Sequence, residues 1–163
     1  MSAQIRIDPR GPRFGAAITA VLLLVTVFLG LVAPAATTFA ERLAQPGFLL
    51  LVALSALFAW GAFAGIQRHP YGRIFAAVIR PRLAPPAETE DAAPPTFAQG
   101  VGFAVTLVGI VLHVLGVPLA VPVAAGAAFI AAFLNTVFGY CLGCQLYVLL
   151  LRVGVIRPPA AQS

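Results

Sequence analysis

The chain has 163 residues, 61% of them apolar and 9% charged, with a mean hydropathy of +0.99. That is more apolar surface than one soluble core of this length can hide, so the composition excludes an ordinary soluble domain and points to a bilayer. All ten basic residues are Arg and the net charge of +5 lies outside the apolar runs, which places the basic surface at lipid headgroups and gives no argument for nucleic acid.

Residues 1–13 carry Arg6, Arg10 and Arg13, with Asp8-Pro9 and Gly11-Pro12 expected to block regular structure until Phe14. A first span follows over 14–33, free of charge, and about 20 residues at 1.5 Å each cover the ~30 Å hydrocarbon core as a helix. The Ala-rich stretch 34–40 resembles a signal cleavage site, but the apolar run is longer than the ~7–15 residues of a secretory signal, so an uncleaved span is expected. Residues 34–46 connect to a second span over 47–66. Gly61 and Gly65 there have a spacing that lets a neighbouring helix approach closely.

Residues 67–96 form the one long hydrophilic segment. An amphipathic helix along the headgroups is expected over 74–79, between Arg73 and Arg80, followed by a Pro-rich acidic linker holding Glu88, Glu90 and Asp91. His69, before Pro70, is expected to be an exposed residue at a helix end with no special role. From Thr96 to Leu151 no residue is charged, too long a run for one span. The break at Gly116-Val117-Pro118 gives a third span over 97–115 and a fourth over 121–140, joined by a tight hairpin. Continuing the fourth helix to Leu151 would make it ~46 Å long, so it is expected to break near residues 139–143 and to leave a short interfacial helix beyond. The tail after Arg152, with Arg157-Pro158-Pro159, is expected to fray. The Pro-x-Phe openings at Pro12 and Pro95 form a faint repeat, compatible with two duplicated helical hairpins.

The expected fold is therefore a single all-α membrane domain over 1–163, four transmembrane helices in two hairpins. Arginine is concentrated before span one, in the central segment and after span four, against Arg42 alone in the other connections. The positive-inside rule then places both termini and the loop 67–96 in the cytoplasm, as expected for a protein of the bacterial inner membrane.

Both cysteines lie in Phe138-Gly139-Tyr140-Cys141-Leu142-Gly143-Cys144-Gln145-Leu146-Tyr147. Two thiols three residues apart can share a disulfide, carry sulfane sulfur or bind a soft metal from one side; plain packing residues are the alternative. If the helix breaks at Gly139-Tyr140, Cys141 opens the next helix, where free N–H groups and the dipole favour a thiolate. Cys141 would then attack and Cys144 resolve. A cytoplasmic pair is expected to rest reduced and to act transiently, with Gly139 and Gly143 giving backbone freedom and Tyr140 and Tyr147 anchoring the headgroup level. Zinc wants four ligands and the chain offers two unless it dimerises or His69 joins, so no metal is expected. His113, late in span three, and Asn135, in the inner half of span four, are further candidates for contacting a substrate. No span carries Asp, Glu, Lys or Arg, which counts against an ion-coupled pump. Gly100 and Gly102 are only a fragment of a nucleotide fingerprint, and no cofactor is expected.

Phe97-Ala98-Gln99-Gly100-Val101-Gly102 and the cysteine-bearing stretch together resemble the two signatures of a family of small bacterial four-helix membrane proteins known as a domain of unknown function. The resemblance covers nearly the whole chain, His69-Pro70 included, and departs from the family at Thr96, where an Arg is expected. It implies the four-helix architecture, and association with thioredoxin-like and sulfurtransferase proteins. The expected function is a cytoplasmic-face Cys-x-x-Cys dithiol that exchanges electrons or sulfur with such a soluble partner. The alternatives are a small transporter or channel for a sulfur-containing solute, and a membrane scaffold subunit. Quinone-linked disulfide-forming oxidoreductases are also four-helix proteins with paired cysteines, but their chemistry is extracytoplasmic and the arginine distribution here argues against it.

Overall fold

Proline, glycine and the length of the apolar runs decide where this chain folds back. The computed structural model describes residues 5–156, so the tail at 157–159 lies outside the described residues. Its helices are α1 (Arg10–Val32), α2 (Phe39–Leu43), α3 (Pro46–Ala64), α4 (Pro70–Ile74), α5 (Ala93–Val114), α6 (Ala120–Phe138) and α7 (Leu142–Arg152). Of these, α1, α3, α5 and α6 are long and apolar enough to cross a membrane.

Each long helix begins earlier than the expected span, and proline explains it. Pro12 in α1, Pro46 in α3, Pro94 and Pro95 in α5 and Pro122 in α6 all sit in a first turn, where no intrahelical partner awaits the missing N–H. Residues 10–13 are therefore helical and not irregular. α1 ends at Ala33, held extended before Pro34. α3 ends at Gly65, which has a φ of +87°. Gly65 is thus a helix stop, and only Gly61 of that pair serves close packing, against the Gln99 side chain. At the other end of the hairpin α5–α6, Gly116 closes α5 in a Schellman motif, its N–H on the His113 carbonyl at 2.9 Å and that of Val117 on Leu112 at 2.9 Å.

The four long helices form a bundle in the cyclic order α1, α3, α5, α6, each antiparallel to the next in sequence. Leu23 of α1, Phe48, Leu51 and Leu54 of α3, and Val121, Ala125 and Ala128 of α6 make the core. Polar groups inside it are satisfied locally. The Thr106 hydroxyl lies 3.1 Å from that of Ser55 on α3 and 2.9 Å from the carbonyl of Gly102, and the Thr26 hydroxyl donates to Leu22 at 2.8 Å. Outward, Val21, Phe28, Phe63, Val123 and Val137 are exposed, an apolar exterior suited to lipid.

The two ends of the bundle differ. One holds the connection between α1 and α3 and the α5–α6 hairpin; the short helix α2 there is started by a capping box between Thr38 and Glu41. The other end gathers everything else. The expected helix at 74–79 is part of a longer helical run from Pro70, with a π-type turn over Phe75–Ile79 and a 3₁₀ turn over Arg80–Arg82. The acidic linker is shorter than expected, because Glu90–Asp91 (β2) pairs antiparallel with Arg6–Ile7 (β1) and the Ala92 N–H donates to the Ile5 carbonyl at 2.9 Å. Arg6 Nε adds a bond to Thr89 Oγ1 at 2.8 Å. Residues 83–89 alone keep the character of a linker.

Candidate functional site

The fourth long helix stops where its glycine allows. Gly139 takes a φ of +66°, a left-handed conformation that ends α6, and its N–H donates to Asn135 at 3.1 Å while that of Tyr140 reaches the Leu134 carbonyl at 3.1 Å. A side chain at 139 would also collide with the Arg13 guanidinium, which lies directly over it from the first turn of α1. Two residues later Cys141 is the N-cap of α7, and its Sγ accepts the Cys144 N–H at 3.2 Å. The two cysteines are joined by a disulfide, with their Cα atoms 5.2 Å apart. The pair is therefore close enough for a disulfide without backbone movement, as its spacing implies. Once reduced, Cys141 stands at a helix N-terminus with a backbone N–H on its sulfur and a guanidinium over the preceding glycine. All three favour the anionic thiolate.

α7 is seated on the start of α5. A Cβ at Gly143 would lie 2.5 Å from the Cβ of Ala98 and 2.6 Å from its Cα, so only glycine lets the two helices approach this closely. Gly143 therefore serves contact and not the backbone freedom expected of it, since it is an ordinary helical residue. Tyr147, one turn further, packs on Phe97 with ring centroids 5.5 Å apart.

The disulfide lies on the wall of a cavity of about 730 Å³ that opens at this end of the bundle. Its mouth is polar, with Arg6, Asp8, Arg13 and Glu90, and its interior is lined by Phe58, Val105 and the alanines of α6. Asp8 forms an ion pair with Arg10 at 2.8 Å, and hydrogen bonds from that arginine hold the Asp8 carboxyl below the usual carboxylate range. Glu90 behaves oppositely: burial raises its pKa, and the positive charge of Arg13 only partly offsets this.

His69 corrects an expectation. It is buried, 4% exposed, at the corner between α3 and α4, and it also lines the cavity. Nδ1 accepts the Tyr71 N–H at 3.3 Å, which leaves the proton on Nε2 to be donated to the Leu57 carbonyl at 3.2 Å. Burial holds its pKa below the ordinary histidine value, so the ring is neutral near pH 7. The signal in the sequence was His69-Pro70, an N-cap before a proline at the first helical position.

Asn135 lies on the cavity wall with both cysteines. His113 is not brought to them. It lies in the last turn of α5 at the opposite end of the bundle, stacked on Phe48 at 4.8 Å, with Nε2 3.0 Å from the Arg42 carbonyl. Arg42 Nη1 in turn donates to the Val114 carbonyl at 2.9 Å, so this histidine ties α2 to α5. Among the described residues, no three of His, Cys, Asp and Glu converge as metal ligands would.

A family model described as a domain of unknown function, DUF4395, matches residues 7–152. No curated protein and no solved structure matches the chain.

Proposed function

We propose that this chain, which belongs to the DUF4395 family, is a multi-pass membrane protein whose Cys141–Cys144 pair exchanges electrons with a soluble dithiol protein at the arginine-rich end of the bundle. The observation that carries the reading is a disulfide closing the first turn of α7, a helix with no buried residue, with the Arg13 guanidinium over Gly139 two residues before Cys141. A pair used only for packing needs no exposed face.

Sidedness follows from charge. Among the described residues, Arg6, Arg10, Arg13, Arg68, Arg73, Arg80, Arg82 and Arg152 all belong to the segments at the dithiol end, and Arg42 alone lies at the other. The positive-inside rule assigns the first end to the cytoplasm, and the family resemblance points to the inner membrane of a bacterium. The partner is of the thioredoxin-like or sulfurtransferase kind.

In the exchange, a thiolate of the partner attacks one sulfur of the disulfide, the other sulfur leaves as a thiolate, and a mixed disulfide forms. The partner's second thiolate then attacks its own sulfur in that bond. The partner ends as a disulfide and Cys141 and Cys144 as thiols, two electrons and two protons having crossed. Sulfur transfer would use the same thiolate: reduced Cys141 takes the outer sulfur of a donor persulfide and the donor leaves as its thiolate. A second reading, a small transporter for a sulfur-containing solute, is favoured by the cavity between the helices.

Acid-quenched alkylation of intact cells and inverted vesicles, followed by mass spectrometry of the peptide holding both cysteines, tests the proposal. A pair reached from the cytoplasmic face, partly disulfide or persulfide, supports it. Thiols that stay reduced and unreachable from either face overturn it. Cys141→Ser and Cys144→Ser should each abolish exchange, whereas a transporter tolerates at least one of them.

A further inference from the structure

We infer that the cavity beside Cys141 and Cys144 binds a membrane quinone, which accepts the electrons of the reduced pair. The inference rests on the exchange reading above and supplies its second half-reaction: a pair that empties a soluble dithiol stops after one turnover unless something reoxidises it. Contact with a soluble partner needs only the exposed face of α7. The cavity does more, since it runs from the cysteines inward to Phe58, Val105 and Ala128, in the apolar lengths of α3, α5 and α6.

Three properties select the ligand class. The volume, about 730 Å³, lies within the roughly 300–1,000 Å³ of small-molecule sites. The inner wall is apolar, and an ionic ligand entering it would lose its hydration with no charge to meet it, because Arg13 and Glu90 are confined to the mouth. The amides of Asn135 and Gln99 also line the cavity, donors for a neutral ligand with carbonyl oxygens. A lipid-soluble ring with two carbonyls and an apolar chain meets all three requirements. The chemistry balances: two S–H bonds break, the sulfurs give up two electrons as the Cys141–Cys144 bond forms, and the quinone takes those electrons with two protons on its oxygens to become a quinol.

The test uses the full chain in lipid nanodiscs, reduced with dithiothreitol and freed of it, then mixed with a fully ring-substituted benzoquinone carrying an alkyl chain, which has no open ring position for a thiol to add to. Quinone loss is followed by ultraviolet absorbance and the cysteines by alkylation. The expected result is saturable reduction of one quinone per protein, lost in Cys144→Ser. Ala131→Phe and Val105→Phe, which fill the cavity, should each lower the rate about tenfold or more while a soluble dithiol protein still reduces the disulfide at the wild-type rate. Exchange with the soluble dithiol but no quinone reduction overturns the quinone site and leaves the proposed function standing. Unsaturable reduction, equal in wild type and both filled variants, also overturns it, as collision at the surface. If neither couple reacts with the pair, the exchange reading falls and the quinone site with it.

Discussion

Replacing Gly143 by alanine isolates what holds the dithiol in position. The new Cβ would sit 2.5 Å from the Ala98 Cβ and 2.6 Å from its Cα, about 1 Å inside the 3.5–4.0 Å optimum for carbon pairs. Ala98 Cα is backbone of a long helix and cannot swing aside, so α7 must move. Overpacking of this kind costs about 1–3 kcal/mol where the structure cannot give way. Here it can, because α7 has 11 residues and rests mainly on the start of α5. Undocking α7 limits the penalty to its docking free energy, and the loss appears as exposure of the cysteines. The expected result for Gly143→Ala is a thermal midpoint close to wild type, with reduced Cys141 and Cys144 alkylated severalfold faster. Gly109→Ala is the control: its Cβ would overlap that of Ala124 in the middle of the bundle, where neither helix can leave. That variant should lose the full ~1–3 kcal/mol and keep wild-type thiol reactivity. Equal loss of stability in the two variants, with unchanged alkylation in Gly143→Ala, would refute the view of α7 as a separately docked element.

His69, whose pKa burial lowers, contributes stability that is complete above the ordinary histidine value and is lost as pH falls through its lower folded value. Thermal scans between about pH 8 and pH 5.5 should show this decline in wild type and a smaller one in His69→Gln. Arg13→Gln should move the alkylation profile of reduced Cys141 to higher pH, since the thiolate loses a nearby positive charge. Thr38→Ala removes the cap of α2 and should cost about 1 kcal/mol in denaturant titrations, with no change at the cysteines, which lie at the other end of the bundle.

Much of the architecture is legible in the residue order because lipid and backbone hydrogen bonding leave few options. The runs at 14–33 and 121–140 contain no charge, and glycine at 116 and 139 marks where helices stop. What the sequence hides is contact between distant segments. The burial of His69 depends on a carbonyl of α3 facing it across a corner, and the pairing of Arg6 with Asp91 depends on the bundle bringing two polar segments together. Prolines misled in one direction only: at Pro12 and Pro94 they read as breaks in a linear scan, whereas in a first helical turn they are preorganised starts. Asn135 and His113 look alike as polar residues within spans, and the direction of each helix separates them to opposite ends. The bond from the Cys144 N–H to Cys141 Sγ follows from local spacing, but the arginine above Gly139 comes from the first turn of α1.

That last contact sets the order in which the site is completed during synthesis. Arg13 lies in the first turn of α1 and the cysteines follow α6, so all four long helices are synthesised before the guanidinium and the turn at Gly139 can meet. A nascent chain lacking α6 or α7 presents no such reactive sulfur. The proposed chemistry is thereby withheld until the bundle is whole, and removing the start of α1 with Arg13 should slow the cysteines as surely as a change beside them.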